Sequence, residues 1–207
     1  MVKKSVLSAI RATFGAFVAI ATLLSCDGPK SFYSLPTFVT EGTFNTVIEI
    51  PAGTNKKIEY DAKGNVFKVD EKNGAERIVQ FLPYPANYGF IPSTLSDIRT
   101  GGDGDALDVL VLAEALDTGT IMECIPIGML KLLDDGEEDH KIIAIPLETK
   151  KRVIDARNFA ELSKNYPAII KIIELWFLNY NKDDLAEVKG WGDEMEALKE
   201  IENQLKK

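Results

Sequence analysis

The residues best suited to chemistry are carboxylates at close spacing. Asp103-Gly104-Asp105-Ala106-Leu107-Asp108 lies between Gly101-Gly102 and the apolar run Val109-Leu110-Val111-Leu112, so three acidic groups gather at the mouth of a buried strand. Like charges a few ångströms apart raise one another's pKa, and a fixed cluster of ionised oxygens is normally stabilised by a hard divalent cation such as Mg²⁺ or Ca²⁺. Asp and Gly are also the usual turn residues, and on these six positions alone a solvated acidic turn explains the pattern equally well. A calcium EF-hand is suggested by Glu114, twelfth from Asp103. It fails because position six is Asp108 rather than Gly, position five is the apolar Leu107, and a strand follows where a helix is required.

A second acidic set follows another apolar run, in Leu132-Leu133-Asp134-Asp135-Gly136-Glu137-Glu138-Asp139-His140-Lys141. As a hairpin turn it needs no function, yet Asp134, Asp139 and Lys141 bracket the turn at strand ends, where side chains are held firmly enough to ligate metals and anions. His140, the only histidine, falls opposite Asp139 and Lys141 by strand alternation and reads as a solvated turn residue. Ahead of both sets stand Lys56, Lys57, Glu59 and Arg77, then Phe81-Leu82-Pro83-Tyr84-Pro85-Ala86-Asn87-Tyr88-Gly89-Phe90, whose prolines stiffen a loop around tyrosines. Excess carboxylates for several cations, with Lys and Arg for an anion, make the inventory for work on a small phosphate compound.

The elements that must hold these groups are mostly short strands. Phe44 to Ile50 alternates, with Pro51 closing it and Glu49 expected on the face opposite Ile48 and Ile50. Further strands are predicted over Lys57–Tyr60, Val66–Val69, Arg77–Phe81, Val109–Ala113, Met122–Leu132 and Lys141–Ile145. Pro167 opens a helix with Ile169, Ile172, Ile173, Trp176, Phe177 and Tyr180 on one face and Lys171 and Glu174 pointing away. A last amphipathic helix, about Asp193 to Leu205, carries Met195, Leu198, Ile201 and Leu205 as its stripe. Many short strands with few helices until the end predict a mainly β, α+β fold built on a small β-barrel. With 45% hydrophobic and 27% charged residues, the 207-residue chain has the material for one folded domain. Thirty-two acidic against 24 basic residues, a formal charge of -8, repel phosphate backbones, so no nucleic-acid partner is expected.

The N-terminus is a separate object. Lys3, Lys4 and Arg11 precede Ala12–Leu24, an almost unbroken apolar run of 13 residues, short of the ~20 that a bilayer crossing needs and matching the core of a signal peptide. Its Leu23-Leu24-Ser25-Cys26 ending resembles a bacterial lipoprotein signal, which makes Cys26 the lipid anchor and predicts export to the periplasm or cell exterior. If the signal reading fails, the protein is cytoplasmic. The organisation expected is a signal peptide over 1–25, a tether over 26–43 and a folded domain over 44–207.

The domain itself resembles the soluble inorganic pyrophosphatases of the first family. The resemblance rests on Asp103-Gly104-Asp105-Ala106-Leu107-Asp108-Val109, on Val47-Ile48-Glu49-Ile50-Pro51 with Lys57 and Glu59 beyond, on Tyr84-Pro85-Ala86-Asn87-Tyr88-Gly89, and on Asp134 to Lys141, in that family's order and approximate spacing. It implies a small closed β-barrel of the oligonucleotide-binding type with flanking C-terminal helices, a homohexamer, and Mg²⁺-dependent hydrolysis of inorganic pyrophosphate with several ions, for which Mn²⁺ is a substitute. Carried over, it makes Asp103, Asp108 and Asp139 ligands of the first metal, with Asp108 reaching a second. Asp134 and Asp139 hold a substrate-borne metal, and Glu49 and Glu59 complete the acidic shell. Asp105 is the general base for metal-activated water, Tyr88 orients the nucleophile, and Lys57, Arg77, Lys141, Tyr180 and Lys182 grip phosphate. The chain departs from the family in having Ala106 where Pro is usual, Asn181 between Tyr180 and Lys182, Arg77 one residue closer to Tyr84, and an export signal. The competing readings are a non-catalytic metal- or phosphate-binding lipoprotein on the same fold and a hydrolase of larger polyphosphates or nucleotides.

Overall fold

Residues 31–181 and 185–206 are described by a computed structural model. Five strands carry the architecture: β2 (Thr43–Ile50), β7 (Asn87–Phe90), β8 (Asp108–Val111), β9 (Ile121–Asp134) and β11 (Lys141–Pro146). Around them lie β1 (Phe38–Thr40), the hairpins β3 (Ile58–Asp61) with β4 (Val66–Val69) and β5 (Glu71–Lys72) with β6 (Ala75–Glu76), and then β10 (Glu137–Glu138) and β12 (Ala186–Gly192). Among the described residues the α-helices are α1 (Phe159–Asn165) and α2 (Pro167–Phe177), ahead of β12, and α3 (Glu194–Asn203) after it. β2 pairs with β7, β7 with β8, β8 with β11, β11 with β9, and β9 returns to β2, so the five strands close into a ring. The β8–β11 pair is parallel and the other four are antiparallel. This is the small barrel of the oligonucleotide-binding type, and closing it removes the exposed edges an open sheet would leave.

β11 is buried on both faces, which is why it reads as the nearly continuous apolar run Ile142-Ile143-Ala144-Ile145 rather than as an alternation. Leu110, Leu130, Leu132, Ile143 and Ile145 pack with Ile173, Trp176 and Phe177 of α2. Their alternates Val109, Val111, Met129, Ile142 and Ala144 pack with Ala197 and Ile201 of α3. α3 starts with a reciprocal cap, in which the Asp193 carboxylate accepts from the backbone N–H of Glu196 and the Glu196 carboxylate accepts from that of Asp193.

Several local expectations are corrected. Arg77–Phe81 is not a strand: it is held by isolated bonds, Lys57 N–H to Arg77 O and Val79 N–H to Asn55 O, and Pro83 and Pro85 beyond it lack the donors to extend a ladder. In β2, Ile48 pairs with Gly89 but Ile50 with Tyr88, a bulge that places Ile48 and Ile50 in different clusters instead of on one face. On α2, Ile172 is exposed and Glu174 does not point away, since it accepts from Trp191 Nε1 at 2.7 Å. On α3 the buried stripe is Ala197 and Ile201, with Met195 exposed. α1, unforeseen, is opened by Asn158, whose side chain accepts from Glu161 N at 2.8 Å.

The described part of the expected tether, residues 31–43, is folded onto the domain. Phe32–Ser34 form a short 3-10 turn, β1 pairs with β2, and the rings of Phe32 and Tyr33 pack on Tyr60. Residues 1–30, with the expected signal peptide and Cys26, lie outside the described residues.

Gly89 sits where two strands touch, and a Cβ there would lie 1.9 Å from the Val47 carbonyl oxygen. Gly89→Ala is therefore expected to cost about 2–3 kcal/mol of stability through forced separation of β2 and β7, read as a lowered urea midpoint with little change in slope.

Candidate active site

One cleft, of about 410 Å³, opens at the end of the barrel where β2, β8, β9 and β11 present their terminal residues. Twelve of the residues singled out in the sequence line it: Glu49, Lys57, Glu59, Arg77, Tyr88, Asp103, Asp105, Asp108, Asp134, Asp139, Lys141 and Tyr180. Lys182 and Cys26 lie outside the described residues. His140 does not line the cleft, and its Nδ1 lies 3.3 Å from Leu132 O.

Local backbone rules deliver these groups. The bulge in β2 sets Glu49 into the cleft, where its Oε1 accepts from Tyr60 N at 2.7 Å. Asp135 and Gly136 both have positive φ, +48° and +91°, the two-residue turn that joins β9 to β10 and brings Asp134 and Asp139 back to one mouth. Asp103 Oδ1 accepts from Asp105 N at 2.9 Å, and the Gly101 carbonyl accepts from Glu138 N at 2.8 Å, tying the first acidic loop to the second.

The centre is Lys141, 3% exposed, with its ammonium donating to Asp108 Oδ2 at 2.5 Å and to Asp139 Oδ1. Burial disfavours its charge, but Asp108 and Asp139 outweigh that and hold it firmly as ammonium. Tyr88 Oη donates to the same Asp108 oxygen. Burial, then the Asp108 charge, raises the Tyr88 phenol far above its usual range, so it is a neutral donor. Asp108 is itself raised by burial against the lowering effect of Lys141. Asp105 is raised by burial and by Asp103. Glu49 is raised to about 8, chiefly by burial, opposed by the Tyr60 N–H and reinforced by Asp108 and Glu59. On the far wall Lys57 Nζ lies 2.9 Å from Glu59, Arg77 is paired with Asp70 at 2.8 Å, and Tyr180 stacks on Trp176 with centroids 4.7 Å apart. Tyr33, Tyr60, Tyr84, Phe90, Trp176 and Phe177 add an aromatic part to the lining. Tyr33 was missed because it sits in a Pro- and Ser-containing stretch without periodicity, and only the folded chain brings it here.

Seven carboxylates face three cationic side chains across this cleft, with no sulfur or imidazole among its lining residues. That donor set suits hard, oxygen-seeking divalent cations and disfavours zinc. Among the described residues no three such groups converge as a ready-made cage, and the Lys141 ammonium occupies the gap between Asp108 and Asp139. A cation taken up there competes with that ammonium.

The family profile described as inorganic pyrophosphatase matches residues 46–207. The chain belongs to the inorganic pyrophosphatase family. It is 38% identical over 173 residues to the inorganic pyrophosphatase of Neisseria meningitidis serogroup A, covering 82% of this chain and 90% of that protein. It is 38% identical over 176 residues to that of Haemophilus influenzae, covering 83% and 93%. Among solved structures, the inorganic pyrophosphatase of Thermus thermophilus superposes with a TM-score of 0.73 at 29% identity, over 84% of this chain and 97% of that one. The one from Neisseria gonorrhoeae superposes with a TM-score of 0.69 at 35% identity, over 84% and 97%. The pyrophosphatase profile thus contains every cleft residue named above except Tyr33.

In the cation-free fold Glu49 keeps its proton up to about pH 8, against 4.5 for an ordinary glutamate. Its contribution to stability is present in full below pH 4.5 and is lost as pH rises towards 8. Chelated protein is therefore expected to lose thermal stability across that window. A divalent cation is expected to expel about one proton per chain near pH 7, measured by titration calorimetry in buffers of different ionisation enthalpy.

Proposed function

We propose that this chain is a cation-dependent hydrolase that splits inorganic pyrophosphate into two phosphates. The observation that carries this reading is the gathering, in one cleft of a pyrophosphatase-family chain, of the acidic and cationic residues that such a reaction requires. Asp103, Asp108 and Asp139 are the proposed ligands of a first cation, with Asp108 shared by a second. Asp134 and Asp139 take one carried in with the substrate, and Glu49 and Glu59 form the outer acidic shell. Mg²⁺ is the proposed ion, with Mn²⁺ as a substitute. When bound, such cations neutralise the substrate's charge and acidify a water.

The chain's own residues do the rest. Lys57, Arg77, Lys141 and Tyr180, with Lys182 beyond, bind and orient phosphate oxygens and stabilise the charge that grows on the departing phosphate. Asp105, exposed at the mouth of the cleft and with its pKa raised, is the proposed acceptor of the attacking water's proton. Tyr88, a neutral donor to Asp108, fixes that carboxylate's direction. A binding protein without turnover has no use for Asp105, and the reading as a hydrolase is favoured for that reason.

The anchor is part of the proposal. Lys3, Lys4 and Arg11, the apolar run over 12–24 and the ending Leu23-Leu24-Ser25-Cys26 support an exported lipoprotein held to a bacterial membrane through Cys26, facing the periplasm or exterior. Family resemblance supports a homohexamer.

Phosphate release from pyrophosphate is expected to need Mg²⁺, to stop with chelator and to spare ATP. Asp105→Asn is expected to lower kcat by about 10²–10⁴-fold while the protein keeps its melting temperature. Turnover that survives in Asp105→Asn would remove that residue from its role. For the anchor, Cys26→Ser is expected to move the protein from the membrane pellet to the soluble fraction and to abolish incorporation of labelled palmitate. Equal fractionation of the two forms would defeat it.

A further inference from the structure

Tyr33 lies outside the family match, which begins at residue 46, yet it forms part of the wall of the cleft. Its ring is held from several sides, against Phe90 at a centroid distance of 4.6 Å and Tyr60 at 5.1 Å, with Lys206 Nζ 5.2 Å from its ring centroid. Its backbone is held as well. The Tyr33 carbonyl accepts from Ser93 N at 2.9 Å and from Ser93 Oγ at 3.2 Å, and Ser93 Oγ also donates to Leu35 O at 2.9 Å. Ser93 adopts φ +56°, a left-handed conformation unusual for serine, and its own carbonyl accepts from Lys206 N at 2.9 Å. One strained residue thus fastens the N-terminal strap and the C-terminal end together beside the cleft, the kind of local cost that functional sites carry.

The one polar atom of this fastened side chain is its hydroxyl, which has no hydrogen-bond partner among the described residues. Burial first, then Glu49, Asp105, Glu59 and Asp108, push its ionisation upward, so it stays a neutral donor on the acidic side of the cleft. A diphosphate seated there presents only acceptors. We propose that Tyr33, delivered by the strap that precedes the family-matched domain, is a further substrate-binding residue whose hydroxyl donates to an oxygen of the bound diphosphate. This rests on the pyrophosphatase reading and extends it, because the segment that carries the phenol is the one that leads back to Cys26.

The test compares the full chain with Tyr33→Phe and Tyr33→Ala. Phe keeps the packing on Phe90 and Tyr60 and removes only the hydroxyl, so its melting temperature should match the unsubstituted chain. Its KM for pyrophosphate is expected to rise about tenfold, the scale of one hydrogen bond to a charged group, with kcat within about twofold, the signature of a contact made equally in ground and transition states. Methylenediphosphonate, a diphosphate analogue whose P–C–P bridge is not hydrolysed, should bind Tyr33→Phe more weakly by the same factor in calorimetry with Mg²⁺. Unchanged KM and unchanged diphosphonate affinity in Tyr33→Phe would overturn the proposal, as would an effect confined to Tyr33→Ala, which assigns it to ring packing. Absence of turnover in the unsubstituted chain would sink the hydrolase reading alone, since the diphosphonate comparison decides Tyr33 independently.

Discussion

The structure depends on keeping a concentration of negative charge at one end of a small barrel. Carboxylates gathered this closely repel one another and resist burial, and they are tolerable only with a cation among them. Lys141 provides it from within the chain: at the first position of β11, beside Asp108 at the first position of β8, it reaches Asp108 and Asp139 together. The parallel pairing of β8 with β11 sets those two residues directly opposite each other. Removing either partner would leave an uncompensated buried charge, so the ion pair constrains strand register as much as it supplies electrostatics.

The closed ring then fixes the rest. A barrel without edges holds its strand ends rigidly, and side chains on strand ends are placed more accurately than those on free loops. Three irregularities in that ring deliver the chemistry: the bulge that sends Glu49 into the cleft, the left-handed Asp135-Gly136 turn that returns Asp139 beside Asp134, and the close β2–β7 contact at Gly89 that seats Tyr88 over Asp108. The helices contribute apolar cover through Trp176, Phe177 and Ile173, and Trp176 in turn supplies the stacking face for Tyr180.

The two ends of the described chain meet at Ser93, and this joins the N-terminal strap to the wall of the site. Residues 31–43 are spent on packing and pairing with the domain, so this segment forms part of the folded unit and, through Tyr33, part of the wall of the cleft.

The acidic signature, the DG hairpin turn and the proline-flanked tyrosines were legible in the sequence because they are local. Residue type and spacing over ten positions or fewer decide them, and Asp103, Asp105, Asp108, Asp134, Asp139, Lys141, Tyr84 and Tyr88 from these segments share one cleft. The strands Val66–Val69 and Lys141–Ile145 and the helix opened by Pro167 were equally legible from periodicity and from the fixed φ of proline. What only the tertiary structure decided were the features set by distant partners. The β2 bulge arises from pairing with β7, about forty residues away in the chain, and it overrides the two-residue period that governs an isolated strand. Glu174 turns inward because Trp191 offers it a donor, and Arg77 reaches the cleft without a strand to carry it. Tyr33 gains its place from Ser93, sixty residues on. Local sequence sets what a segment prefers, whereas closure of the ring sets which neighbours it meets, and burial against those neighbours outweighs local preference wherever the two disagree.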